Sequence, residues 1–139
     1  MKAKVNWAGD ARFDGVTETG HAIVMDGAPE YGGKNQGARP MELLLVGMGG
    51  CASFDVVLIL KKARQEISDC VVQLDAERAE TDPKVFTRIH AHFVITGKKL
   101  NESRVARAVE LSAEKYCSAS IMLGKTAQIT HDFEIVETG

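Results

Sequence analysis

Cysteine is scarce in this 139-residue chain, which has three, at positions 51, 70 and 117. An odd number at no framework spacing excludes the disulfide scaffold of a small secreted domain and points to reduced thiols in a cytoplasm. Charge of one sign is lacking too: the formal net charge is −2, and Lys and Arg are scattered. A surface that tracks nucleic-acid phosphates needs them clustered, so no nucleic-acid partner is expected. The opening residues, MKAKVNWAGDARF, hold no apolar run that could serve as a signal peptide. Repeats, low-complexity tracts and linkers are missing as well. What remains is an ordinary globular composition, 45% apolar and 26% charged, of a length that fits one domain over residues 1–139.

Along the chain, residues 2–7 and 20–25 read as short strands joined by a glycine-punctuated turn at Gly9–Gly15. Residues 26–39 form a polar, Gly-rich loop that ends at Pro40, and proline suits the first turn of a helix. A long helical pattern follows over Met41–Glu66. Cys70, Val72, Leu74 and Ala76 then alternate with polar neighbours, as do Ile89, Ala91, Phe93 and Ile95, so these segments read as an antiparallel hairpin. Asn101 is a good N-cap for a helix through about Tyr116. A short apolar helix follows Cys117, and Ile129, His131, Phe133 and Ile135 define a last strand. The order ββ-α-ββ-α-α-β predicts an α+β domain built on antiparallel sheets.

The long helix carries no charge from Leu43 to Phe54, and its apolar residues surround the axis instead of forming one stripe. Such a helix is either buried or membrane-spanning. Asp55 and the glycines at 47, 49 and 50 favour a buried core helix, with no membrane partner. One chain of this size covers one face of it well. A second copy is the simplest further cover, which predicts a homodimer.

Two cysteines have settings that invite chemistry. Cys51 follows Gly49-Gly50, and glycine inside a helix costs about 1 kcal/mol relative to alanine. Close helix–helix packing across a dimer axis, or access to the Cys51 sulfur, would each explain the pair. Cys117 lies where a helix begins, and the dipole there predicts a lowered thiol pKa. The opposing reading is that both are buried small hydrophobes, as free cysteines usually are. Cys70, on an apolar strand face, reads that way.

Two stretches resemble the superfamily of osmotically inducible protein C and organic hydroperoxide resistance proteins (OsmC/Ohr). Arg39-Pro40-Met41-Glu42-Leu43-Leu44-Leu45, running on to Gly49-Gly50-Cys51, is similar to that family's Pro-Glu-x-Leu and small-small-Cys pattern. Lys115-Tyr116-Cys117-Ser118-Ala119-Ser120 is similar to its second cysteine motif. The resemblance covers nearly the whole chain. It implies an OsmC-like fold, with antiparallel sheets wrapped around a long central helix in an intertwined homodimer, and active sites at the subunit interface. It also implies that Cys51 attacks a peroxide and becomes a sulfenic acid, that Cys117 resolves it to a disulfide, and that a dithiol partner reduces the disulfide. An arginine would favour the Cys51 thiolate and a glutamate would hold that arginine. Arg12 and Arg39 are the candidates for the first, and Glu42 for the second. The chain departs from the family pattern at Met41, where the glutamate normally stands, and at Ser118, where proline normally follows the second cysteine.

Other features are weaker. His90 and His92 share a strand face without an obvious third metal ligand. His131 reads as a hydrogen-bonded core histidine. Lys61-Lys62-Ala63-Arg64 is a basic helix end, and Gly32-Gly33-Lys34 lacks the rest of a phosphate loop. No cofactor or metal is expected. The leading expectation is a cytoplasmic thiol redox protein acting on a small hydroperoxide. The alternative is a small hydrophobic-ligand-binding protein, its pocket at the dimer interface and its thiols incidental.

Overall fold

The computed structural model describes residues 1–139, which form two compact units, Met1–Val46 and Gly47–Gly139.

In the first unit, β1 (Ala3–Trp7), β2 (Arg12–Thr17) and β3 (Ala22–Asp26) make an antiparallel sheet in that order. β2 corrects the sequence reading, which placed a turn across Gly9–Gly15. Asp14 and Gly15 are poor strand formers in isolation, yet Gly15 lies mid-strand opposite Val5 and Ile23. The chain reverses earlier, at Gly9 and Asp10, whose φ values of 94° and 47° are left-handed. Beyond β3 the Gly-rich loop is tied down by Asp26. Its buried carboxylate accepts the amides of Lys34 at 2.9 Å and Gln36 at 3.1 Å. Those bonds hold its pKa below the usual carboxylate range, and the charge of Arg39 adds to the effect. Gly37 passes so close to the Val24 carbonyl that a side chain there would collide with it.

The helix α1 runs from Pro40 to Lys62. It stops short of the predicted Glu66 because Arg64 turns left-handed at φ 59° and the Gln65 amide bonds back to the Leu60 carbonyl. By length and composition alone it could cross a membrane. In this fold its buried residues are Met48, Gly49, Ala52, Val56 and Leu60, one stripe at helical spacing. Leu44, Val46, Phe54 and Leu58 are exposed, Phe54 to 67%. The expectation of a helix buried all round is thus not met within one chain, whose sheet covers a single face.

The second unit is built on β4 (Glu66–Arg78), β5 (Phe86–Lys98) and β6 (Gln128–Glu137). β4 and β5 form the predicted hairpin. β6 pairs with β5 in parallel, in a register that sets Ile89 beside Ile129 and Phe93 beside Phe133. The sheet is therefore mixed, not purely antiparallel. A parallel neighbour needs a long crossover, supplied by α2 (Glu102–Leu111), a π turn (Ser112–Tyr116) and α3 (Ser118–Leu123). Asn101 caps α2 as predicted, its side chain accepting the Arg104 amide. The core joins Ala52, Val56 and Leu60 of α1 to Ala91, Phe93 and Ile95 of β5 and to Val105, Ala108 and Val109 of α2. Gly49 has its explanation here: a Cβ would come within 2.6 Å of Leu74 and 3.3 Å of Val72, so the helix lies tight on β4.

Candidate functional site

Cys51 and Asp55 stand one turn apart on α1, and residues at that spacing share a helix face. Cys117 is brought to them from the crossover. The π turn before it is an inserted half-step of helix, closed by the Cys117 amide on the Ser112 carbonyl at 2.8 Å. Such turns recur at functional sites because they re-aim the residues beyond them. Buried Ser112 donates its hydroxyl to the Ala52 carbonyl of α1 at 2.9 Å and fixes the turn against the helix. Cys117 is then the N-cap of α3. Its sulfur accepts the Ser120 amide at 3.3 Å and the Ser120 hydroxyl at 3.0 Å, and its thiol points to the Met48 carbonyl at 3.9 Å. The two sulfurs and an Asp55 carboxylate oxygen all lie within 4.8 Å of one another.

Removing the Ser112 hydroxyl should cost about 1 kcal/mol, the usual net worth of one hydrogen bond. Because that bond positions the π turn, Ser112→Ala should also slow formation of a Cys51–Cys117 disulfide. Urea melts and peptide mapping during oxidation read the two effects separately.

Burial decides the electrostatics. Cys117 is 0% exposed, and that desolvation pushes its thiol pKa up despite the two Ser120 hydrogen bonds, with the Cys51 sulfur adding to the rise. The expectation that a helix start would lower it is not met, since α3 is only six residues long and the burial of the Cys117 sulfur outweighs the hydrogen bonds it accepts. Cys51 is half-buried and so the more exposed residue of the pair. Asp55 also has its carboxyl pKa raised by burial, and its Oδ2 has no hydrogen-bond partner. Sequence reasoning passed over Asp55 as a site residue. The signal was present: it is the sole charged residue from Leu43 to Leu60 and lies four positions after Cys51.

Arg12, Arg39 and Glu42 all belong to Met1–Val46. The Arg12 Nε pairs with Asp14 at 3.0 Å and its Nη1 reaches Gln36 at 3.4 Å, at a cavity of about 170 Å³ also lined by Asp10, Asp26 and Lys34. The Glu42 carboxylate accepts the backbone amide of Arg39 at 2.8 Å. It therefore caps the start of α1, as the third helical residue of a capping box does.

Cys70 stands apart from the pair. It lines an apolar groove of about 370 Å³ with Gly50, Ser53, Phe54, Val57, Leu58 and Lys61. Burial, then Asp69, raises its thiol pKa, and a hydrogen bond from Ser53 opposes them. His131 keeps the predicted alternation but lines an open groove with Glu110 and Glu114, so it is not enclosed in the core.

His90 and His92 form a ladder with β6. His90 meets Thr130 at 2.6 Å and Asp132 at 2.9 Å, and His92 meets Asp132 at 2.7 Å and Glu134 at 3.1 Å. Hydrogen bonds to Asp132 and then Glu134 raise the His92 pKa above 6.5, and the bond to His92 lowers that of Asp132 below 3.8. A raised histidine stabilises fully below its unfolded pKa and loses this as pH rises through the folded one. A lowered carboxylate stabilises above its unfolded pKa and loses this as pH falls through the folded one. The ladder should therefore strengthen the β5–β6 edge most between about pH 4 and 6.5. In Asp132→Asn, the fall in denaturation midpoint from pH 6 to pH 9 should be smaller than in the wild type.

A family model described as OsmC-like protein matches residues 33–132. Protein YhfA of Escherichia coli K12 is 47% identical over 136 residues, covering 98% of both chains. A solved structure of a hypothetical protein from Aquifex aeolicus is 33% identical, with a TM-score of 0.81, over 98% of this chain and 97% of the other. The organic hydroperoxide resistance protein OhrB of Bacillus subtilis shares the fold, at 22% identity and a TM-score of 0.61 over 96% of this chain and 98% of its own. With its two cysteines meeting between the long helix and the crossover, the chain belongs to the OsmC-like protein family.

Proposed function

We propose that the protein is a thiol-dependent hydroperoxide reductase of the cytoplasm, working as a homodimer, with Cys51 as the attacking thiol and Cys117 as the resolving one. The observation that carries this reading is the meeting of two free thiols within 4.8 Å, one reachable and one enclosed. The Cys51 thiolate attacks the terminal oxygen of a hydroperoxide. A sulfur–oxygen bond forms, the oxygen–oxygen bond breaks, and the leaving alkoxide takes a proton to become an alcohol. Sulfur gives up two electrons and the peroxide gains them. The Cys117 thiol then condenses with the sulfenic acid, forming the disulfide and releasing water. A disulfide needs the sulfurs about 2.05 Å apart, so the resolving step is a short movement at the N-cap of α3. An external dithiol returns both cysteines to thiols and leaves as its own disulfide.

Intact-mass analysis after titration with hydrogen peroxide and with a bulky alkyl hydroperoxide tests the reading. The expected product is two hydrogens lighter, with Cys51 joined to Cys117 and Cys70 free. A main product containing a Cys70 disulfide overturns it. Light scattering should give twice the 15.1 kDa chain mass.

The apolar groove beside Cys70 favours a second reading, a binding site for a small hydrophobic ligand. Ligand retention that survives Cys51→Ala, in a protein inert to peroxide, would select it.

A further inference from the structure

We propose that Cys51, Asp55 and Cys117 form a binding site for a thiophilic divalent cation, zinc above all. Three ligand atoms of the right chemistry lie within 4.8 Å of one another. Zinc holds thiolate sulfur at about 2.3 Å and carboxylate oxygen at about 2.0–2.2 Å in a tetrahedron, so its ligand atoms stand roughly 3.5–3.8 Å apart. Side-chain rotation closes that difference. Cys51 and Asp55 are one turn apart on α1, the spacing by which a helix presents two metal ligands on one face. Cys117 supplies the third from a different element, leaving the fourth position to water or a small ligand.

Two further observations point to a cation. Asp55 Oδ2 is buried and has no hydrogen-bond partner, an arrangement that costs free energy unless a proton or a metal satisfies the oxygen. The Cys117 sulfur accepts two hydrogen bonds, from the Ser120 amide and hydroxyl. That is an outer shell suited to orienting a thiolate toward a metal. Two sulfurs and one carboxylate oxygen select zinc or cobalt over magnesium or calcium, which prefer oxygen throughout. Binding displaces the two thiol protons to solvent and changes no oxidation state.

The test uses the reduced full-length protein. Zinc is titrated against a chromophoric chelator, and cobalt serves as the spectroscopic probe. One equivalent should bind, with thiolate-to-cobalt charge-transfer bands in the near ultraviolet. Zinc should protect the half-buried Cys51 from iodoacetamide while Cys70 remains alkylated, an internal control that needs no variant. Asp55→Asn, which keeps the shape, should weaken binding by more than the roughly 10-fold to 100-fold that loss of an outer-shell partner costs. His92→Ala should leave the bands unchanged. No binding, binding that leaves Cys51 as reactive as before, or unaltered affinity in folded Asp55→Asn overturns the proposal. These readouts need only reduced thiols, so they hold or fail whether or not Cys51 reduces peroxide.

Discussion

Cys51→Ser should abolish peroxide consumption altogether, whereas Cys117→Ser should consume one equivalent rapidly and a second slowly, and then stop. The asymmetry follows from exposure. Cys51 is the half-buried sulfur and Cys117 is 0% exposed, so peroxide meets the first and not the second. In Cys117→Ser the sulfenic acid has no partner at short range. With excess peroxide it should proceed to sulfinic acid, a gain of two oxygens on the Cys51 peptide. Cys70 should not substitute, since it lines a separate groove. Stopped-flow peroxide assays and mass spectrometry of each variant check both halves. A Cys117→Ser protein that turns over repeatedly would assign the resolving role elsewhere.

The largest effect on stability should come from Phe93→Ala. Phe93 is 1% exposed on β5 and packs among residues of α1 and α2. Emptying such a site costs about 3–5 kcal/mol, or roughly 10–20 °C in melting temperature for a chain of this size. Phe54→Ala is the contrasting case. Phe54 is 67% exposed on α1, and truncating it should change the stability of one folded chain by less than about 0.5 kcal/mol. If the exposed stripe of Leu44, Val46, Phe54 and Leu58 is the face that pairs with a second copy, Phe54→Asp should instead halve the mass seen by light scattering. Calorimetry and light scattering on the same samples separate the two results.

Much of this architecture is legible in the residues. Strict alternation announces β4, β5 and β6, because each buries one face and exposes the other. Asn101 announces α2, because its side chain satisfies an amide no helix can satisfy for itself. The misses have physical causes. β2 hides behind Asp14 and Gly15, residues that prefer turns until neighbours on both sides supply the hydrogen bonds. The parallel pairing of β6 depends on where the crossover returns, which no local pattern encodes. At the site, the two cysteines announce themselves by resemblance and by their small neighbours. Asp55 does not, because a lone acid in an apolar run reads as an interruption until the third dimension sets it beside two sulfurs. The raised pKa of Cys117 escapes the sequence for the same reason: a helix start is visible there, and the dryness around it is not.

The parallel β6 also sets an order of events during synthesis. A hairpin such as β4–β5 closes as soon as its second strand emerges, because its contacts are local. β6 must wait for the whole of Lys99–Ala127 and then pair with a strand laid down long before, a non-local closure of the slow kind. Cys51 leaves the ribosome early, and its sulfur has no partner until the crossover that carries Cys117 has folded back over α1. For that interval a nascent chain holds the thiol proposed to attack without the one proposed to resolve it. Oxidants met then have an unprotected target, and a chaperone or a reducing environment has its greatest value before the last strand docks.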